Sequence, residues 1–337
     1  MGVRFLALAV CFWACLPAHA QQDSASPPSG HPTEDHPSEG QASDAAPITS
    51  ETPAVADAAP LPRPDLTPDA KGKLSSDQMR ELTRVVAQNF RENFKKQRNY
   101  TFIERDVEHN VAGDGRVKST EIHTYEVIEI YGQEVWRMIE KDDKPLDAKD
   151  AAKEEEKVQK IIDKHKAESE EDRKKVEEKE AKRREDSRKF VTAIADSHDF
   201  KLVGTETTNG REAWVIDCEP RPGYEVPDKE AKFVSKFRGR LWIDKQDMQL
   251  AKVDVEAVDT AAVGWVLARI HKGTRMSYEQ FRMDDEIWLP KHMTFKLDAR
   301  IALFKGYNVD GEQTYRDYKK FRTSARIVGI GQAEEAK

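Results

Sequence analysis

One run of alternating residues constrains the fold of this chain more than any other feature. Between Lys291 and Leu303 apolar and polar side chains alternate with a period of two. This period is typical of a strand with one buried face and one exposed face. The sequence therefore predicts a long antiparallel strand whose apolar face is covered by the protein's own helices or by an apolar ligand. That face carries Met293, Phe295, Leu297, Ala299, Ile301 and Leu303.

Residues 1–20 have the pattern of a secretory signal peptide. A basic residue precedes the apolar core Phe5–Leu16, and Ala18-His19-Ala20 supplies small residues at the cleavage position. The core is too short for a permanent membrane anchor. Cleavage before Cys15, as in a lipoprotein, is the less favoured alternative because two bulky aromatic residues lie just upstream. The sequence thus predicts an exported, periplasmic chain with no permanent transmembrane anchor.

Residues 21–73 differ sharply in composition from residues 74–330. They are rich in Pro, Ala, Ser, Asp and Glu, with almost no aromatic side chains and no periodicity. Such a segment cannot bury enough apolar surface to offset the entropy lost on ordering. We expect a disordered acidic tether with a mean reach of about 40 Å. His31 and His36 lie among prolines without the spacing of a metal site.

The folded part is predicted to span residues 74–330 and to begin with a helix. Ser75 and Gln78 stand in capping-box positions. Apolar residues then recur at helical spacing: Met79, Leu82, Val86, Phe90 and Phe94.

Strand patterns come after this helix, separated by turn signals such as Asn209-Gly210, which predicts a hairpin. They include separate strands at 287–290 and in the run described above, and a final strand containing Tyr315, Tyr318 and Phe321. Residues 261–270 suit a short helix or a strand equally. The predicted class is α+β, with a curved antiparallel sheet of about ten strands.

A charged insertion interrupts the strands over residues 147–196. From Asp147 to Lys189 it is almost entirely Lys, Arg, Glu and Asp, and acid-before-base pairs four residues apart favour a helix. Apolar residues are too sparse for a coiled-coil seam. The prediction is a long, solvated helical hairpin or arm standing off the sheet. It could be a lid over the sheet, a docking arm for a partner or an inert surface helix.

No arrangement of residues predicts catalysis, a cofactor or a metal. The histidines are scattered singly, and no paired-cysteine or Gly-x-Ser-x-Gly pattern is present. Cys218 alone remains after signal cleavage, and its apolar neighbours predict a buried, inert thiol. Around Asp310-Gly311 a turn is favoured over a calcium loop. We predict a non-enzymatic protein, the remaining alternative being a hydrolase assembled from residues distant in sequence.

A succession of short motifs follows the Asn209-Gly210 hairpin signal. They are Trp214-Val215-Ile216-Asp217, Leu241-Trp242-Ile243-Asp244, Leu250-Ala251-Lys252-Val253 and Asp285-Glu286-Ile287-Trp288-Leu289-Pro290. The order and spacing of these motifs, over roughly residues 76–328, give the chain a resemblance to the LolA-like superfamily of periplasmic lipoprotein carriers. It implies a half-open antiparallel barrel, with helices on its apolar face, that binds acyl chains. The acidic tether and the charged insertion depart from the family pattern.

The predicted ligand is therefore a lipid or lipoprotein acyl chain. Burying it would gain about 0.8 kcal/mol per methylene without any specific polar contact. An envelope interaction or stress-sensor module that docks a protein partner through the charged arm is the alternative. A nucleic-acid partner is not predicted, because the charged segment balances Lys and Arg against Asp and Glu and so has no net positive field. The predicted lipid-binding residues are Met293, Phe295, Leu297, Ile301 and Leu303, with Trp214 and Ile216 opposite.

Overall fold

The computed structural model describes residues 62–131, 133–227, 232–263, 268–301 and 305–320. The predicted signal peptide and residues 21–61 of the predicted tether lie outside these ranges. The described ranges contain three α-helices: α1 (Ser76–Gln97), α2 (Ala148–Lys166) and α3 (Glu170–Ser197). A 3-10 helix spans Lys232–Lys236. No helix among the described residues is long and apolar enough to cross a membrane.

Fourteen strands form a single sheet within the described ranges. They are β1 (Lys73–Leu74), β2 (Tyr100–Val111), β3 (Val117–Ile130), β4 (Gln133–Lys141), β5 (Lys144–Pro145), β6 (His198–Thr208), β7 (Arg211–Pro220), β8 (Phe237–Asp244), β9 (Leu250–Ala257), β10 (Ala261–Val263), β11 (Ala268–Ile270), β12 (Arg275–Met283), β13 (Ile287–Ile301) and β14 (Lys305–Lys320).

The sheet is open and its neighbouring strands are antiparallel. Its order is β1-β6-β7-β8-β9-β12-β13-β14-β2-β3-β4-β5, while β10 pairs with β11 and β11 pairs with β13. The prediction of one large antiparallel sheet is confirmed. The strand number exceeds the predicted ten partly because strands of two or three residues are too short to show a periodic pattern. The two strands predicted on either side of Pro290 are one strand, β13, with a register shift opposite Glu279 and Gln280.

Helix α1 begins at a reciprocal cap. The Ser75 hydroxyl accepts the Gln78 backbone N–H at 3.1 Å, and the Gln78 side chain accepts the Ser75 N–H at 2.8 Å. Val85 is buried in this helix, whereas Val86 of the predicted stripe is only half-buried. The buried face comprises Met79, Leu82, Val85, Ala87, Phe90 and Asn93.

A buried amide fixes the carboxyl-terminal half of α1 to the sheet. The Asn93 side chain donates to the Trp288 carbonyl at 2.7 Å and accepts the Trp288 backbone N–H at 2.8 Å. Gln97 donates to the same carbonyl at 2.6 Å. Asn93 thereby satisfies both backbone groups of one strand residue at a buried position, where unpaired polar groups are costly.

Two parts of the charged insertion, the middle of α2 and the end of α3, pack against the rest of the protein. Val158 of α2 is 1% exposed and lies against Ile130 and Val135. At the end of α3, Ala195 is fully buried and Asp196 accepts from Arg80 of α1 at 2.7 Å. The prediction of a helical hairpin or arm standing off the sheet is therefore wrong for the turn around Val158 and for the end of α3. The few apolar residues of the insertion are enough to dock them.

Two further segments differ from expectation. Leu66 is 8% exposed, and Leu74 in β1 pairs with Phe200, so described structure extends into the predicted tether. The ambiguous segment 261–270 contains β10 and β11, and residues 264–267 lie outside the described ranges. Phe321 of the predicted last strand lies outside them as well.

Replacing Asn93 tests how α1 is held. Asn93→Ala leaves the Trp288 N–H and carbonyl with fewer partners, so we expect a loss of about 2–3 kcal/mol in the free energy of unfolding. Urea unfolding measures this loss. Arg91→Ala, at an exposed position of the same helix, is the control and should change stability by less than about 0.5 kcal/mol. Equal stability of the two variants would contradict this account of α1 docking.

Candidate functional site

A continuous row of apolar side chains crosses the middle of the sheet. In register, Ile216 lies opposite Leu241, and Leu241 lies opposite Val253. Val253 in turn pairs with Tyr278, and Tyr278 pairs with Met293. Cross-strand partners point to the same face, so these five residues share one side. Four strand spacings of about 4.8 Å give the row a width of about 19 Å.

Neighbouring positions extend this row into an apolar band. Met276 lies opposite Phe295, and Leu297 lies opposite Val309. Phe90 of α1, 4% exposed, packs against these residues and covers the band. The apolar band is defined here as Ile216, Leu241, Val253, Met276, Tyr278, Met293, Phe295, Leu297 and Val309.

The predicted lipid-binding residues are partly brought together in this band. Met293, Phe295 and Leu297 pack in one cluster, and Ile216 shares their face across four strand boundaries. Trp214 is partly buried and has the Lys245 ammonium 6.0 Å from its ring centre. The Ile301 side chain and all of Leu303 lie outside the part of the chain that the structure describes.

Sequence reasoning missed the central members of the band. Val253, Met276 and Tyr278 come from β9 and β12, whose alternation spans fewer residues than that of β13. Phe90 was recognised as part of a helical stripe, but its contact with the band was not. The sequences of β9 and β12 show the same alternation of apolar and polar residues. Only the strand pairing shows that β9, β12 and β13 are adjacent in the sheet.

A glycine makes room for one aromatic ring in the band. Gly311 lies opposite Phe295, and a Cβ atom at Gly311 would clash with the Phe295 ring. The absence of a side chain therefore lets the ring lie against the backbone of β14. This explains Gly311 as a packing residue of a strand, whereas the sequence predicted a turn there.

Gly311→Ala tests this packing. We expect the added methyl to displace the Phe295 ring and to destabilise the fold by about 1–3 kcal/mol, as overpacking does elsewhere. Gly306→Ala in the same strand is the control, since no atom lies within 4 Å of a Cβ built there. Thermal unfolding compares the two variants. A Gly311→Ala protein as stable as the Gly306→Ala protein would show that the ring does not need this space.

Buried acidic side chains lie in the part of the sheet formed by β2, β3 and β4. Asp106 is 2% exposed and Glu104 is 6% exposed, with the Trp136 indole donating to Glu104 at 3.1 Å. At the start of β4, Glu134 lies directly opposite Glu129 of β3. Burial raises the pKa of Glu134 to about 7; the Glu129 charge also raises it, and Arg98 beyond the end of α1 lowers it.

The stability of the fold should therefore depend on pH through Glu134. Its pKa rises from 4.5 to about 7 on folding, so the folded state binds the proton more tightly. The stabilisation is complete below the unfolded pKa and is lost as the pH rises through 7. Glu134→Gln cannot titrate at this position. The melting temperature of the variant minus that of the wild type should therefore increase from about pH 5 to about pH 8.

The control for this prediction is Glu121→Gln on the exposed part of β3. It should follow the wild-type pH dependence in the same thermal unfolding experiment. Parallel curves for wild type and Glu134→Gln would contradict the assignment.

On the polar side of the central strands lies a trough of about 1020 Å³. Its lining pairs opposite charges: Arg240 with Asp217 at 2.5 Å, and Arg238 and Arg275 with Glu256 at 2.6 Å and 3.1 Å. The lining also includes Val255, Met276 and Phe295, so charged pairs and apolar groups both border the trough.

The described residues contain no cluster suited to a metal and no activated thiol. No group of three or more His, Cys, Asp or Glu side chains could hold a metal ion among them. Cys218 is buried, which confirms the prediction, and burial raises the pKa of its thiol well above the ordinary value. A protonated, buried thiol is a poor nucleophile.

The motif residues form a structural clamp. Asp244 accepts from Arg211 Nε at 2.7 Å and from the backbone N–H of Asp247 at 2.6 Å. The Trp288 indole donates to Asp247 at 2.8 Å, and the Arg211 guanidinium lies 5.6 Å from the centre of the Trp288 ring. Asn89 of α1 donates to the Asp247 carbonyl at 2.9 Å. These motifs thus tie the turn after β8 to β13 and to α1.

Comparison with known proteins relates the chain to solved structures only. No family model matches it, and no curated protein matches it. A domain described as an outer membrane lipoprotein-sorting protein, from Vibrio parahaemolyticus, is 11% identical, with 75% of this chain and 95% of that chain covered and a TM-score of 0.32.

Two other solved structures are also similar to this chain. A DUF1329 family protein from Desulfovibrio piger is 11% identical over 75% of this chain and 95% of its own, with a TM-score of 0.29. A LolA superfamily protein from Nitrosomonas europaea is 10% identical over 76% of this chain and 98% of its own, with a TM-score of 0.26.

Proposed function

We propose that this protein binds the acyl chain of a lipid or lipoprotein on the apolar band, without catalysing a reaction, in the periplasm. The observation that supports this is the band itself: a row of apolar side chains about 19 Å wide, four strand spacings, that is covered by one amphipathic helix. Burial of an acyl chain along it gains about 0.8 kcal/mol per methylene. The proposed site contains four of the residues predicted from the sequence: Met293, Phe295, Leu297 and Ile216. It also contains Val253 and Tyr278, which the sequence did not predict.

In this proposal α1 is a displaceable cover. Phe90 occupies the space over the band that an acyl chain would take. The polar contacts that Asn89 and Asn93 of α1 make lie at the clamp, on the Asp247 carbonyl and on Trp288. An acyl chain would therefore compete with the apolar side chains of α1, chiefly Phe90.

A first experiment asks whether the protein carries lipid. Native mass spectrometry with lipid extraction is applied to the mature protein from the periplasm, and uptake of a fluorescent fatty acid is titrated. A co-purifying acyl lipid or saturable uptake is expected. Protein that is empty and also takes up no fatty acid would overturn the carrier proposal.

A second experiment places the ligand on the band. Phe90→Ala weakens the hold of α1, since truncating a buried Phe costs about 3–5 kcal/mol. A ligand must displace α1 before it can bind, so a weaker hold of α1 lowers the free energy that binding has to overcome. If that free energy falls by half of the cost of the truncation, fatty-acid affinity rises by about tenfold or more. Arg91→Ala, exposed on the same helix, should bind as the wild type does. Unchanged affinity in Phe90→Ala would place the ligand elsewhere.

The alternative proposal is an envelope interaction module that docks a partner through the charged arm. Exposed charge dominates the described side chains in the first half of α3, where Val176 is also 45% exposed. A defined partner whose binding survives lipid removal and is lost when the residues 170–189 are recoded with reversed charges would favour this alternative. Binding that depends on bound lipid would favour the carrier.

A further inference from the structure

The outer edge of β4 is occupied by side chains of the charged insertion. On one side β4 pairs with β3 along its length, whereas on the other only Glu140 and Lys141 pair with β5. Where β5 no longer reaches, the Glu154 carboxylate of α2 accepts the Met138 backbone N–H at 3.1 Å. Three residues further along α2, the Lys157 ammonium donates to the Trp136 carbonyl at 3.2 Å.

This pair imitates a neighbouring strand. A carboxylate oxygen stands where a strand would present a carbonyl, and an ammonium stands where it would present an N–H. The two groups also bond to each other at 3.2 Å, and both are partly buried, with side chains 19% and 33% exposed. Val158, the next residue, anchors the same helical turn against Ile130 and Val135.

Not every ion pair of α2 has this role. Glu156 and Lys160 form a shorter pair, at 2.6 Å, but their side chains are 64% and 73% exposed. They lie on the solvent side of the helix. Glu154 and Lys157 are therefore distinguished by what they contact, which allows a matched comparison within one helix.

An uncovered strand edge readily pairs with another chain. The hydrogen-bonding complement of an antiparallel edge is the same edge of a second copy, related by a twofold axis. We propose that α2 blocks β4 from pairing with β4 of a second copy of this chain, and that Glu154 and Lys157 are the residues that exclude it. The insertion thus controls the association state of the protein, independently of any acyl ligand.

The test compares two double substitutions in the full mature chain. Glu154→Ala with Lys157→Ala removes the two side chains that bond to the β4 edge, and Glu156→Ala with Lys160→Ala removes the exposed pair. Sedimentation velocity over a concentration series gives the association state, and hydrogen exchange of residues 133–141 reports on the β4 amides. The first variant should show faster exchange at low concentration, then dimerise and regain protection as concentration rises. The second should match the wild type in both measurements.

A second variant distinguishes the loss of the two bonds to β4 from the unfolding of α2. Glu154→Lys with Lys157→Glu keeps the composition of α2 but leaves neither group able to make its present bond to β4. It should associate as the double-alanine variant does, while circular dichroism retains the wild-type helix signal. The proposal is overturned if both edge variants sediment as the control at every concentration. It is equally overturned if the control dimerises too, or if a dimer forms without protection of the β4 amides.

Discussion

The packing of α1 on the apolar band is the interaction on which the rest of the structure depends. An antiparallel sheet with one apolar face must cover that face. Here Phe90 of α1 packs on the band, while Ala193 of α3 and the 3-10 helix pack on Ala257 and Ile270. The polar clamp of Asp244, Asp247 and Trp288 sets where the helix lies. Hydrophobic contact supplies most of the stabilisation, while the hydrogen bonds of Asn93 select one orientation.

The two ends of the sheet are protected by different means. At one end β1 pairs with only Phe200 and Lys201 of β6, and the rest of β6 carries a register shift between Leu202 and Gly204. Such a bulge twists an edge away from partners. At the other end, charged side chains of α2 cover the outer edge of β4. A segment with few apolar residues can thus have a definite structural role, because one of its ion pairs, Glu154 with Lys157, also bonds to backbone groups of β4.

Much of this architecture could be predicted from local patterns. The period of two in β13 and the capping box of Ser75 each depend on neighbouring residues, so the sequence alone identifies them. The band could be predicted only in part, since Tyr278 and Val253 become neighbours of Met293 through pairings that the sequence does not encode locally. The edge cover was missed because Glu154 and Lys157 look like any other pair in a charged helix.

The position of β14 has a kinetic consequence. Within the described sheet this strand lies between β13 and β2, so it joins the hairpins of β2, β3 and β4 to the strands from β6 onward. Residue pairs such as Val309 with Asn110 are separated by about two hundred positions along the chain. High contact order of this kind slows folding, because loop-closure entropy is lost before the contacts form. The sheet cannot be completed until β14 has been synthesised, so the unfinished chain is exposed to chaperones and proteases for longer than a protein of local contacts would be.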